Sequence, residues 1–269
     1  KKYNIPLVVS TRGTIYSWAL NQRKFIKNIA MWLFQKDMLI TADVIHITEP
    51  NEKKALVDID IHNDTILIPN GIELYNKFNE LDDNILYKIN YDKSKRYIMF
   101  LGRIVHNKGL HFLIDSYDKL KDKYSDVEVL VVGSLEDQGY FDDLDKVDGV
   151  YFLGALDGIQ KHTIFSISNI FVLPSITENF GMAIAESMSY KIPVITTTGT
   201  PWQEIKENDA GWWLELNQEN IDNALDEALN CSDNELKAKG NNGFDIIKNY
   251  TWDKQALKMK KTYEGILNS

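Results

Sequence analysis

Glu178 and Glu186 stand with seven residues between them in the run PSITENFGMAIAESMSY. A carboxylate in a short helix of small residues can accept both hydroxyls of a ribose. Gly181, at the start of that helix, leaves the first N–H groups of the turn open to a phosphate. A second run, Gly102-Arg103-Ile104-Val105-His106-Asn107-Lys108-Gly109, sets two cations five positions apart just before a helical pattern. Cations beside a helix start form an oxyanion site, and Gly102 allows a tight turn or a close approach. For each of these charges the competing reading is a solvated surface position. In a third run Thr200 and Gln203 have capping-box spacing, with Pro201 as the first helical residue, and Gly199 leaves room for the backbone to approach a ligand. The five histidines, at 46, 62, 106, 111 and 162, show no ligand spacing and read as structural or solvated.

All three runs follow short apolar stretches. Strands are expected over 5–10, 43–47, 65–68, 96–101, 127–132, 150–153, 169–173, 193–196 and 210–214. Helical patterns are expected over 15–41, 108–124, 157–167 and 181–190, with a last helix over 253–267. Apolar strands alternating with helices predict parallel sheets covered on both faces, an α/β fold. Ligands in such sheets bind beyond the carboxyl ends of the strands, where these loops lie.

Residues 71–95 follow Pro69-Asn70-Gly71, have no strong apolar period and read as a connector. Charge divides there: residues 1–75 hold 9 basic and 8 acidic side chains, and the rest hold 21 and 31. Two Rossmann-like domains follow. Residues 1–75 form a partial N-terminal domain on which the C-terminal helix, 251–269, can pack. Residues 76–250 form a complete second domain.

The 269 residues are 44% apolar and 26% charged, with a net charge of −9. That is ordinary globular usage and disfavours nonspecific nucleic-acid binding. One cysteine, Cys231, excludes a disulfide framework. No 18-residue apolar run predicts a transmembrane helix. The absence of G-x-G-x-x-G, of a Walker lysine and of H-E-x-x-H disfavours dinucleotide, P-loop and zincin chemistry. The strand at residue 5 has no introductory element before it, so the chain is read as lacking the start of its first domain.

Together these residues resemble a known family. Glu178 and Glu186 match the E-x7-E signature of retaining glycosyltransferases of the GT-B fold, family 4 (glycosyltransferase group 1). FLGRIVHNKGLHFLIDSY is similar to that family's G-R-x(4)-K-G segment, VYFLGAL to its nucleobase-side strand, and ADVIHITEPNEKKAL…ILIPNGIE to the junction of its two domains. The resemblance runs through nearly the whole chain from residue 5.

The resemblance implies a GT-B-like fold and a hexosyltransferase-type enzyme using a nucleotide-diphosphate sugar as donor, without cofactor or metal. Arg103 and Lys108 would bind the diphosphate and stabilise it as it leaves, which makes them catalytic together with Glu178. Glu178 would hold the donor sugar and stabilise positive charge at its anomeric carbon. Glu186 would accept the ribose hydroxyls, Gly102 would sit against the donor, and the N–H groups of Phe180, Gly181 and Met182 would contact phosphate and sugar. Leu156 or its neighbour Ala155 would lie near the base. The chain departs from the pattern in two ways. Roughly 80–100 residues that family members carry before the first strand are absent. Where many members have a histidine after that strand, this chain has Arg12 and Gly13, which become acceptor-side residues.

The implied acceptor is a glycan or a lipid-linked sugar, in bacterial surface polysaccharide synthesis. The expected location is the cytoplasm, at the inner face of the membrane. Arg23, Lys24 and Lys27 in the helical pattern 23–34 suggest a peripheral membrane contact, against a core helix with one wet face. No nucleic-acid partner is expected. The alternative function is a non-catalytic module of the same fold that binds sugar nucleotides or glycans.

Overall fold

A computed structural model of the protein describes residues 5–14, 36–74, 80–144 and 146–268. The helical pattern 23–34 lies outside them. The chain divides into two compact units, one of Lys1–Gly71 with Tyr250–Ser269 and one of Ile72–Asn249.

In the first unit the strands β1 (Val8–Ser10), β2 (Val44–Ile47) and β3 (Thr65–Leu67) are parallel, in that spatial order. Val9 lies opposite Ile45, and His46 opposite both Ser10 and Ile66. Helices α1 (Lys36–Thr41) and α2 (Asn51–Asp58) alternate with the strands. Val9, Leu39, Ala42, Ile45, Ile47, Leu56 and Ile61 form the core of this unit.

The second unit opens with α3 (Asp83–Lys88), inside the stretch read as a connector. Asp82 caps it by accepting from Ile85 N at 2.9 Å. The helix has barely more than one turn, too short for an apolar period to register. Six parallel strands follow: β4 (Arg96–Leu101), β5 (Val127–Val132), β6 (Val150–Gly154), β7 (Ile170–Leu173), β8 (Val194–Thr197) and β9 (Gly211–Leu214). Their order is β6-β5-β4-β7-β8-β9. All of β5, β7 and β8 is buried, as expected for strands covered on both faces.

Helices α4 (Leu110–Leu120), α5 (Gln138–Leu144), α6 (Gly158–Ile167), α7 (Met182–Ser189), α8 (Glu204–Glu207), α9 (Gln218–Asn230) and α10 (Asp233–Ile247) connect and close this sheet. Helix α10 begins with a capping box of Ser232 and Glu235. Near its middle Gly240 meets the Lys191 carbonyl, 1.8 Å from where a Cβ would stand. Helix α11 (Trp252–Leu267) belongs to the first unit, where Trp252 packs on Gly71.

The capping box expected at Thr200 and Gln203 does not form. The Thr200 hydroxyl donates back to Thr197 O at 2.9 Å, and α8 begins only at Glu204. The Thr200 side chain satisfies a turn, so it is not available to cap the helix.

Candidate active site

Strand β4 pairs with β5 on one side and with β7 on the other, so the chain order reverses between β4 and β7. A crevice opens at such a switch point, beyond the carboxyl ends of the two strands. The loops after β4 and β7 are those that carry the chemistry-bearing residues.

Backbone contacts hold these two loops together. Lys108 ends a short 3-10 turn, His106–Lys108, closed by Gly109 at φ 69°. A Cβ on Gly109 would stand 2.0 Å from the Pro174 carbonyl oxygen, so glycine is needed both for the left-handed backbone and for the space. Ile176 N donates to Asn107 O at 3.0 Å. The loop after β8 supports the same segment from the other side. Glu178 N donates to Gly199 O at 2.8 Å, and Thr197 Oγ1 donates to Ser175 O at 2.5 Å. A Cβ on Gly199 would lie 2.2 Å from Ile176 O. Gly199 therefore makes room for protein backbone at the position where the sequence suggested a ligand.

These contacts bring Lys108 onto Glu178. Lys108 Nζ lies 2.5 Å from Glu178 Oε1, and the two side chains are 15% and 12% exposed. Ser175 Oγ donates to the same oxygen at 2.8 Å. The carboxylate is thus held by a cation and a hydroxyl, both of the type that compensates a largely desolvated charge. Ser175 is fully buried and was missed in the sequence; its only signal was a position three residues before Glu178.

Glu186 lies on α7 and pairs with Lys161 Nζ of α6 at 2.8 Å. No residue near Glu186 in the chain announces that partner, which comes from the preceding helix. Arg103 is not joined to either glutamate. It is 51% exposed and pairs with Glu136 at 2.8 Å. The loop after β4 that carries it lies along the loop after β5: Ile104 N donates to Ser134 O at 2.9 Å, and a Cβ on Gly133 would stand 1.8 Å from Gly102 O. At Gly102 itself an added Cβ would make ordinary contact with Phe100 at 3.4 Å, so the steric demand at this crossing falls on Gly133.

Gly181, at φ 78°, precedes α7, and no side chain caps the helix. The N–H groups of Gly181 and Met182 donate to no acceptor among the described residues, and Met182 is exposed. The Phe180 side chain is buried against Trp202, whose Nε1–H donates to Phe180 O at 2.5 Å. These contacts fix the backbone just ahead of the helix. Leu156 is half-buried in the loop after β6, between Gly154 and Gly158, both with positive φ.

Beside the Lys108 turn His106 and His111 stack at 4.7 Å, and His111 Nδ1 lies 2.8 Å from the Tyr140 hydroxyl. Burial holds the His111 pKa below its ordinary value and pushes that of Tyr140 up to about 12. Both are therefore neutral at physiological pH and support the turn without adding charge. Among the described residues no three His, Cys, Asp or Glu side chains cluster as a metal site, and no helix is long and apolar enough to cross a membrane.

In the first unit Arg12 and Gly13 occupy the turn after β1, with φ 45° and 74°. Arg12 is exposed and Gly13 buried.

The family model described as glycosyl transferases group 1 matches residues 82–245. The capsular polysaccharide biosynthesis glycosyltransferase CapM of Staphylococcus aureus is 32% identical over 203 residues, which are 70% of this chain and 52% of that protein. The uncharacterized glycosyltransferase MJ1607 of Methanocaldococcus jannaschii is 26% identical over 207 residues, 71% of this chain and 53% of that protein. The chain spans about half the length of both relatives. Among solved structures, Anabaena Alr3699/HepE in complex with UDP and glucose superposes with a TM-score of 0.79 at 17% identity, over 97% of this chain and 72% of the other. Sucrose-phosphate synthase from Thermosynechococcus elongatus gives 0.76 at 21% identity, over 99% and 69%. At these identities the likeness is one of fold.

Proposed function

The chain belongs to the glycosyl transferases group 1 family and has a GT-B-like fold, and from that premise we propose that it serves a retaining transfer of a hexose from a nucleotide-diphosphate sugar to a glycan or lipid-linked acceptor. The observation that carries this reading is the meeting of Lys108 and Glu178 at the β4–β7 switch point, directly ahead of the bare start of α7.

Transfer breaks the bond between the anomeric carbon and the diphosphate oxygen. It leaves an oxocarbenium-like sugar and a departing anion. Lys108 and the N–H groups of Gly181 and Met182 supply fixed positive ends for that anion, which is the form of stabilisation that lowers such a barrier most, and Arg103 joins them on leaving Glu136. In this reading they do without a metal ion. Glu178, already aimed by Ser175 and Lys108, faces the positive charge on the sugar. Glu186 takes the ribose hydroxyls while Lys161 keeps its carboxylate oriented. The acceptor oxygen attacks from the face that the diphosphate leaves, with no protein nucleophile. CapM, a capsular polysaccharide enzyme by name, supports a role in bacterial surface polysaccharide synthesis.

Calorimetric titration with UDP, GDP and ADP sugars tests the donor assignment. Millimolar or tighter binding of one of them is expected, lost by about tenfold or more in Lys108→Ala. No binding of any of the three, or equal affinity in the variant, overturns it.

A further inference from the structure

The turn after β1 departs from local preference. Thr14 N donates to Thr11 O at 3.0 Å, and both residues between them, Arg12 and Gly13, have positive φ. Turns of this kind favour Asn, Asp or Gly at both central positions. A long side chain held left-handed persists where the surroundings over-determine it, and such places cluster at functional sites.

The surroundings here are Glu52. Its side chain is completely buried at the start of α2. One carboxylate oxygen accepts from Gly13 N at 2.9 Å and from the Thr11 hydroxyl. The other accepts from Thr48 N at 2.9 Å and Thr48 Oγ1 at 2.6 Å. A single carboxylate thus ties the turn after β1 to the loop after β2. The end of β1 is fixed as well. His46 Nε2 donates to Ile68 O at 2.7 Å, and its Nδ1 hydrogen-bonds the Ser10 hydroxyl.

With the backbone fixed from inside, the Arg12 guanidinium is left exposed, without a hydrogen bond or ion pair among the described residues. The chain has only four arginines. Of the other two that are described, Arg96 grips Asp126 through two nitrogens at 2.7 and 3.0 Å, and Arg103 pairs with Glu136. Arg12 stands at the carboxyl end of a parallel sheet, the end at which such sheets bind ligands.

We propose that this turn recognises an oxyanion, with Arg12 as its cation and Glu52 as the positioning residue that holds it, and that the sugar acceptor accordingly carries a phosphate or carboxylate group. The anion site stands on the geometry alone; its assignment to the acceptor rests on the transferase reading. A guanidinium fork matches either group with two parallel hydrogen bonds, which an ammonium cannot do.

The test follows the arginine Nε–Hε resonances of the whole chain by NMR, with inorganic phosphate as the probe and UDP at saturation to occupy the donor site. The Arg12 resonance is expected to shift with a millimolar dissociation constant. Arg12→Lys should weaken phosphate binding, read in both proteins at the Gly13 amide resonance, by about tenfold, while the affinity for UDP is unchanged. An Arg12 resonance that stays in place up to roughly ten times a millimolar constant overturns the proposal and leaves the UDP result standing. UDP that fails to bind while Arg12 responds to phosphate removes the transferase reading and keeps the anion site.

Glu52→Gln places an amide where two pairs of donors converge, and should cost about tenfold in phosphate affinity at Arg12. Where that variant loses the β1–β3 resonances, Gly13→Val releases the turn through its backbone instead. A folded variant of either kind with wild-type phosphate affinity overturns the role of Glu52. Vesicles of phosphatidic acid in phosphatidylcholine, against phosphatidylcholine alone, separate the sources of the anion. Arg12-dependent vesicle binding assigns a lipid-borne phosphate, and a response to phosphate without vesicle binding assigns a soluble one.

Discussion

Gly199→Ala adds one methyl group, and its effect can be worked from three distances. The new carbon would stand 2.2 Å from Ile176 O, 2.7 Å from Ile176 C and 3.1 Å from Ser175 O. Carbon and carbonyl oxygen do not normally approach closer than about 3.3 Å, so the two loops must part by roughly 1 Å. Neither side is a flexible side-chain tip: both are backbone. The segment pushed away is the one that presents Glu178, held by Glu178 N to Gly199 O and by Thr197 Oγ1 to Ser175 O.

Overpacking of this kind costs about 1–3 kcal/mol. At about 2–4 °C per kcal/mol for a unit of this size, melting should fall by about 2–12 °C. A misplacement of about 1 Å at a reacting centre can cost on the order of 100-fold in rate, so donor affinity and transfer should suffer beyond the loss of stability. Differential scanning fluorimetry and calorimetric titration of sugar nucleotides measure the two effects separately. A variant that melts within about 1 °C of the parent and binds donor equally well would refute the claim that the loop after β8 sets the position of Glu178.

Three further outcomes are expected. Glu186→Ala should weaken nucleotide binding by about tenfold or more by calorimetry, since charge-assisted hydrogen bonds to the ribose are lost; its melting should change little, because the pair with Lys161 is partly exposed. Glu178→Ala should lower the transfer rate of a longer form of the protein more than its nucleotide affinity; equal losses would remove the proposed role at the sugar. Glu49 is buried, and burial raises its pKa above the ordinary 4.5. A raised carboxyl favours folding below that ordinary value and loses the contribution as pH rises through the raised one. Glu49→Gln should therefore be more stable than the parent at neutral pH and indistinguishable from it in acid, as denaturant melts at several pH values would show.

All nine expected strands occur among the described residues, because buried parallel strands are written as unbroken apolar runs that need no tertiary context to read. The loops with cations and glycines were legible for a related reason: they follow those runs. Partners were not. Lys161 reaches Glu186 from 25 residues away and Ser175 supports Glu178 from a position without periodicity. Arg103 resembled Lys108 in the sequence, yet Lys108 is enclosed with Glu178 while Arg103 lies half in water against Glu136. Thr200 had the spacing of a cap, and the carbonyl of Thr197, three residues back at the end of β8, took its hydroxyl instead. Spacing records which groups are near in sequence; the choice among acceptors is made by packing.

The excursion from Gly71 to Tyr250 has a consequence for synthesis. The larger sheet is contiguous in the chain, so a ribosome releases all of it before Trp252 emerges to cover Gly71. The smaller unit must wait, its three described strands without α11, while its neighbour is completed. A nascent chain that has emerged through residue 249 but not yet through Trp252 would therefore present a finished C-terminal body and an unsealed N-terminal one. That N-terminal body is the part on which chaperones and proteases would act first.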